Sequence, residues 1–377
     1  MEAIINGKIV TPTTILEDKI LIIANGKIKE ITNDLPTGVD VIDAKGLIVA
    51  PGFIDVHIHG SAGFDVMDGT AEAITGIAQN IAKYGTTSFL PTTMTSERGS
   101  VYQALSLIRN LQGEKFGGAE VLGAHFEGPF INVKYKGAQN ENYIIEPDYQ
   151  WITDFADVIK IITYAPEKDF NFEFTTKVKD ETDIVLSIGH SDANYDFAVR
   201  AIVEGCSHIT HLFNAMTGLH HRNPGVVGAA LTQDVFTEVI ADKIHIDENL
   251  FQFILDNKTA DKVVLITDAM RAGGMPDGVY DLGGQTVHVE NGAARLTDGT
   301  LAGSVLTLNQ AVRNFYTHTN ATLPEVIKMA SLNPAKSIRI DERKGSLENG
   351  KDADIILLDD NFDCYLTMVG GKIIYQR

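Results

Sequence analysis

Pro51-Gly52-Phe53-Ile54-Asp55-Val56-His57-Ile58-His59-Gly60 is an apolar run that closes on two histidines. In a β-strand, residues i and i+2 point to the same face. His57 and His59 therefore aim both imidazoles into one space, and Gly60, Ala62 and Gly63 behind them suit an open loop. Neutral imidazole is a common ligand for zinc and other divalent ions, so this strand end reads as half of a metal site. On its own the pair fits two polar residues meeting solvent equally well, and the rest of the chain has to decide.

Moving outward, seven more apolar runs read as strands: Thr86 to Pro91, Val121 to Phe126, Val158 to Tyr164, Ile184 to Gly189, His208 to Phe213, Val239 to His245 and Val263 to Thr267, with Phe53 to His57 as the first. Helical patterns such as Thr70 to Tyr84, Ser96 to Leu111 and Ala193 to Glu204 separate them. Repeated β then α over this length predicts an α/β fold of the (β/α)₈ TIM-type barrel class. An open doubly wound sheet is the alternative, but no Gly-rich dinucleotide loop follows the first strand. Gly274 to Gly303 is Gly-rich and alternating, and reads as hairpins inserted after the eighth strand. Short strands with Asn6-Gly7 and Asn25-Gly26 turn signals fill residues 1–49, and residues 345–377 look alike. The expectation is a small β-sandwich built from both termini, around a barrel spanning 50–344.

The chain has 377 residues, 44% of them hydrophobic, enough for a large core. Thirty-one Lys and Arg against 50 Asp and Glu give a formal charge of −19. That balance disfavours nucleic acid and anionic membrane as partners, and means that any anionic substrate needs a local cationic pocket. Cys206 and Cys364 lie far apart and imply no disulfide framework. The first residues lack a signal-peptide pattern and no apolar run approaches a membrane span, so a cytoplasmic protein is expected.

In barrels of this kind the chemistry sits at the C-terminal ends of the strands. Here those ends carry His57 and His59; His125 and Glu127; His190; His211 and Asn214; Asp242 and His245; and Asp268. A lone His after an apolar run is more often a hydrogen-bonded core residue, and a lone Asp a helix N-cap. Six strand ends coinciding argue against that account. Imidazoles with carboxylates suit zinc, iron, manganese or cobalt. Glu127 is placed to bridge two ions, and Asp268 to touch metal and take a proton. His208, three residues before His211, should face the other way on a strand. His220, His221, His288 and His318 read as structural or surface residues, the first two near a rim.

Taken together, these residues resemble the amidohydrolase superfamily: the Pro51 to His59 entry, the terminal β-domain and the strand-eight Asp268. More narrowly, His125-Phe126-Glu127-Gly128-Pro129-Phe130, Gly189-His190-Ser191, Thr210 to Met216, Arg222-Asn223-Pro224-Gly225, Asp242 to His245, Thr267-Asp268-Ala269, Leu301 to Ser304 and Asn333-Pro334-Ala335 resemble the family of N-acetylglucosamine-6-phosphate deacetylases. The resemblance spans essentially the whole chain. It implies hydrolysis of the acetamide of a sugar phosphate, in amino-sugar catabolism and cell-wall sugar recycling. It implies that Glu127, His190 and His211 hold the principal divalent ion, with His57 and His59 retained for a second. Asp268 matches the acid/base and His245 the residue that polarises the amide carbonyl. Asn214, Ala215 and Arg222 match phosphate-contacting positions, with Arg222 supplied by the partner subunit of a homodimer. Some relatives place a substrate-binding His in the loop after Glu127-Gly128-Pro129, where this chain has Gln139, whose amide can still hydrogen-bond a sugar hydroxyl.

The nearest rivals are dihydroorotase-like or hydantoinase-like enzymes and deaminases. The first two bridge their metals through a carboxylated lysine at the end of strand four, but that segment, Ile161 to Glu167, has no lysine before Lys168. A catalytically dead scaffold would be expected to have lost metal ligands, and this chain keeps each expected one.

Overall fold

The computed structural model describes residues 1–377. Eight strands follow one another round a barrel: β1 (Phe53–Ile58), β2 (Thr86–Thr93), β3 (Ala124–Glu127), β4 (Ile159–Tyr164), β5 (Val185–Ile188), β6 (His208–Ile209), β7 (Phe236–Ile240) and β8 (Val263–Ile266). Each pairs in parallel with the next. Parallel strands covered by helices are buried on both faces, which is why they read as nearly continuous apolar runs rather than alternating ones.

Closure between β8 and β1 is irregular. It rests on a single bridge, Ile58 to Ala269, and on 2.9 Å backbone bonds from Asp268 N to the His57 carbonyl and from His59 N to the Ala269 carbonyl. The buried Asp55 completes it: its carboxylate accepts from the Thr267 hydroxyl at 2.6 Å and from the Thr267 and His57 amides at 3.3 Å. A side chain thus replaces ladder bonds at the seam where His57 and Asp268 meet.

Nine helices cover the barrel: α1 (Ala71–Ala82), α2 (Arg98–Leu111), α3 (Glu173–Glu181), α4 (Tyr195–Glu204), α5 (Gly225–Thr232), α6 (Phe251–Lys258), α7 (Leu308–Thr317), α8 (Leu323–Ala330) and the short α9 (Leu332–Ser337). Helix α1 shows how the sequence sets them. The Thr70 hydroxyl caps it by accepting from Ala73 N, and Ile74, Ile77, Ala78 and Ile81 bury one stripe at helical spacing.

The predicted strands are found, with informative differences in extent. The run from Val121 breaks at Leu122-Gly123, so β3 proper begins at Ala124. β6 is two residues long, so the prediction that His208 faces away from His211 does not hold. The chain leaves the strand at Thr210, and His208 lies fully buried with Nδ1 3.1 Å from the Ser187 hydroxyl. β7 starts at Phe236, three residues before the predicted start, and Asp242 to His245 form a loop beyond it. Residues after β8 form a three-stranded antiparallel sheet, Gly278–Leu282, Gln285–Glu290 and Ala293–Leu296, as expected of inserted hairpins.

Both termini build the sandwich. One sheet orders Lys27–Thr32, Ile20–Ala24, Glu2–Ile5 and Asp40–Asp43; the other orders Lys372–Gln376, Cys364–Val369, Ile355–Leu358, Ile48–Pro51, Lys8–Val10 and Ile15–Leu16. Ile4, Leu21, Val49, Ile355, Leu366 and Met368 share its core. Asn25-Gly26 is a two-residue hairpin turn with positive φ at both positions, as its sequence predicts. Asn6-Gly7 is not a hairpin turn: Glu2–Ile5 and Lys8–Val10 belong to different sheets, and the dipeptide carries the chain across. Space dictates Gly there, since a Cβ at position 7 would stand 2.4 Å from Val49 Cγ2.

Sandwich and barrel are joined through Lys344, whose buried ammonium contacts Glu120 at 2.7 Å, Asp352 at 3.1 Å and Asp354. Removing the cation leaves three acids without their common partner, and breaking a buried pair costs about 3–5 kcal/mol. Lys344→Met should lose about that much in urea unfolding, whereas Lys8→Met, at an exposed 3.7 Å pair with Asp360, should lose less than about 1 kcal/mol.

Candidate metal centre and active site

The strand ends bring seven polar side chains to one cavity of about 280 Å³, namely His59, Glu127, His190, His211, Asn214, His245 and Asp268, with His57 buried behind them. Glu127, from the end of β3, is the hub. Its Oε1 lies 3.2 Å from both His190 Nε2 and His211 Nε2, which are themselves 3.1 Å apart. Its Oε2 lies 3.2 Å from His59 Nε2, and Oε1 is 3.4 Å from His57 Nε2. Asp268 Oδ1 is 3.3 Å from His59 Nε2 and 3.7 Å from His57 Nε2.

Hydrogen bonds on the far side of each ring assign the tautomers. His190 Nδ1 faces the Tyr135 carbonyl at 2.7 Å, His211 Nδ1 the Asn214 carbonyl at 3.1 Å, His59 Nδ1 the Thr92 carbonyl at 3.2 Å and His57 Nδ1 Glu238 Oε2 at 2.9 Å. A carbonyl or carboxylate only accepts, so every Nδ1 carries a proton and Nε2 is the atom each ring turns toward Glu127 and Asp268, where it can ligate an ion once any proton it holds has left. Four lone pairs and two carboxylates converging in a buried space are mutually repulsive unless a cation joins them. The residues therefore fit divalent metal in two overlapping sets, Glu127 with His190 and His211, and Glu127 with His57 and His59.

The backbone accepts strain to achieve this. His190, His211 and Asp268 all have positive φ (48°, 31° and 48°), and so does Ala215 (48°). Non-glycine residues rarely adopt that region, and they cluster at functional sites when they do. Before His190 the chain needs Gly189, because a Cβ there would stand 2.6 Å from Thr163 Cγ2 and 2.8 Å from Thr210 Cβ.

Without metal, protons hold the cluster together. Burial opposes charge on His59, but hydrogen bonds from Asp268 and Glu127 outweigh it and raise the ring to about 9. His57 is likewise held well above its ordinary value against burial, by Glu238, Glu127 and Asp268. Burial pushes Asp268 up, but His57 and His59 pull it down to about 2, so its carboxylate is ionised.

His245 stands apart from the cluster. Its Nδ1 donates to Asp242 Oδ2 at 2.7 Å, which leaves Nε2 for the cavity. Burial disfavours its charged form, yet the Asp242 hydrogen bond raises its pKa overall, so it can present an Nε2–H. Asn214 and Ala215 line the same cavity. Gln139 does too, but its amide is engaged inward: Nε2 donates to Glu127 Oε2 at 2.8 Å and Oε1 accepts from Thr95 N at 2.7 Å. Arg222 is on an exposed loop, 2.8 Å from His221 Nε2, and does not line the cavity of its own chain.

Four contributing residues escaped the sequence reading. Lys134 brings a cation to the cavity wall, paired with Asp192 at 2.7 Å. Met94 and Leu282 supply apolar wall. Glu238 lies wholly buried against His57; the signal was a charged residue inside an apolar strand, hidden because the strand was read as starting at Val239.

The amidohydrolase family model matches residues 48–374. This chain belongs to that family. It is 40% identical to the N-acetylglucosamine-6-phosphate deacetylase of Bacillus subtilis, over 97% of this chain and 95% of that one. It is 43% identical to the enzyme of the same name from Lysinibacillus sphaericus, over 93% and 92%. The crystal structure of N-acetylglucosamine-6-phosphate deacetylase from Pasteurella multocida superposes over 100% of both chains, with a TM-score of 0.94 at 34% identity. The likeness confirms the expected barrel with its sandwich.

Because His59 is raised to about 9 in the metal-free protein, an ion binding there must displace its proton at neutral pH. Binding should tighten as pH rises and level off above about 9. Calorimetric titration of metal-free protein in buffers of different ionisation enthalpy should show net proton release at pH 7.

Proposed function

We propose that this chain hydrolyses the acetamide of N-acetylglucosamine 6-phosphate to glucosamine 6-phosphate and acetate. The observation that carries this reading is that an ionised Asp268 and a His245 Nε2–H face one cavity across the Glu127, His190 and His211 cluster. That is the constellation that amide hydrolysis requires, and the relatives above carry the name of this activity. The dihydroorotase-like and hydantoinase-like alternatives lose their footing, since Glu127 supplies the shared carboxylate and β4 has no lysine at its C-terminal end.

When bound, one or two divalent ions (zinc, iron, manganese or cobalt suit these ligands) would polarise the carbonyl and lower the pKa of water. Asp268 orients the attacking water and takes its proton. His245, held by Asp242, donates Nε2–H to the carbonyl oxygen as negative charge develops there. Asp268 then returns the proton to the departing amine nitrogen, which is otherwise a poor leaving group.

The phosphate is held by Asn214, by backbone near Ala215, and by Arg222 from the second subunit of a homodimer. Support for that assignment is the placement of Arg222 on an exposed loop off its own cavity. A guanidinium delivered by a partner answers the problem that a −19 chain poses for an anionic substrate. The enzyme is proposed to work in the cytoplasm, and no helix is long and apolar enough to cross a membrane.

Acetate release from N-acetylglucosamine 6-phosphate, with and without chelator, tests the reading, and no release by metal-loaded protein sinks it. Asp268→Asn should retain metal and lose about 10²–10⁴-fold in kcat. Arg222→Ala should lower kcat/KM for the phosphorylated sugar about 10–100-fold and barely change it for free N-acetylglucosamine; equal losses on both would argue against phosphate binding.

A further inference from the structure

We infer that Glu238 is a positioning residue for the second metal ion, one buried carboxylate that fixes His57 and ties it to the main chain of His211. The inference rests on the proposal that His57 and His59 hold that ion. Glu238 is in β7, with no exposed surface. Its Oε2 accepts from His57 Nδ1–H at 2.9 Å and from the His211 amide at 3.0 Å. A single oxygen thus braces a ligand of each metal set.

The other three ligand imidazoles rest on neutral carbonyls, those of Thr92, Tyr135 and Asn214. Among the four, His57 alone has a carboxylate behind it. A carboxylate partner fixes ring orientation and raises the basicity of the opposite nitrogen, which strengthens the metal bond. Packing does not account for the residue. Glu238 Oε1 has no hydrogen-bond partner, and His208 Nδ1 is 3.8 Å away from it. Its strand neighbours Val239 and Ile240 show what this part of the core accepts. A buried charge with one oxygen unmatched is destabilising, and it is explained by an ion nearby that the charge helps to hold.

Glu238→Gln tests the charge, because an amide oxygen can still accept from both N–H groups. Metal-free protein would be titrated with cobalt(II), followed by visible absorption and by competition with a chromophoric chelator. Wild type should take two ions per chain. Glu238→Gln should bind the second about 10–100-fold more weakly and the first unchanged. His57→Asn combined with Glu238→Gln should bind the second ion no more weakly than His57→Asn alone, if Glu238 acts through His57.

Equal affinities in wild type and Glu238→Gln would overturn the inference, as would an equal weakening of both sites. A lowered melting temperature with unchanged metal affinities would also overturn it and leave a packing role. Wild type holding one ion overturns it too, while chelator-sensitive acetate release would leave the deacetylase reading standing. Should Glu238→Gln fail to fold, Glu238→Asp keeps the charge but withdraws it by one methylene; an undiminished second site in that variant would equally overturn the inference.

Discussion

Everything at the mouth of this barrel depends on the convergence of electron pairs around Glu127. Its two oxygens meet four imidazole nitrogens, each aimed inward by an acceptor that holds the proton on the opposite side of the ring. Such a cluster is unstable by itself and acquires its meaning from a cation. The surrounding features follow from holding it in place: the positive φ at His190, His211 and Asp268, the absence of a side chain at Gly189, and the use of Asp55 in place of regular ladder bonds between β8 and β1. A regular seam would have fixed the backbone of His57 and Asp268 by sheet geometry alone. The side-chain seam lets both residues lean toward the centre.

The balance of charge sharpens this picture. A strongly acidic chain repels anions at long range, and a divalent centre reverses the local sign only at short range. Within the cavity wall the chain supplies Lys134, already partly neutralised by Asp192. The phosphate recognition proposed above would therefore depend on groups introduced locally, and the proposed delivery of Arg222 by a second subunit would meet that need.

Most of the fold was legible because parallel barrel strands announce themselves as short apolar runs, and because their C-terminal ends are where polar residues become informative. His57, His59, Glu127, His190, His211, His245 and Asp268 were all readable in that way; the structure places all but His57 on the wall of one cavity, and His57 lies buried behind it, 3.4 Å from Glu127. What the sequence concealed was set by tertiary context. β6 is so short that alternation misplaced His208. The Asn6-Gly7 pair has hairpin chemistry but serves as a crossing between sheets, a distinction that depends on which strand comes to lie alongside. Nor does the sequence show that the Gln139 amide, on the cavity wall, is bonded to Glu127 and Thr95. Glu238 was missed for a different reason: a charge buried within a strand has no local signature beyond its own improbability.

The sandwich has a consequence for biosynthesis. Strand Ile48–Pro51 pairs with Ile355–Leu358, whose residues leave the ribosome about 300 positions later. At roughly 5–20 residues per second, the amino-terminal strands wait on the order of 15–60 s with one apolar side unpartnered. During that interval the nascent chain carries an open sheet edge ahead of a barrel that is itself incomplete until β8 arrives. Completion of the sandwich is therefore late, because strands translated about 300 residues apart must cover one another. Ribosome-associated holding factors have their longest opportunity, and aggregation its widest opening, before Ile355–Leu358 emerges.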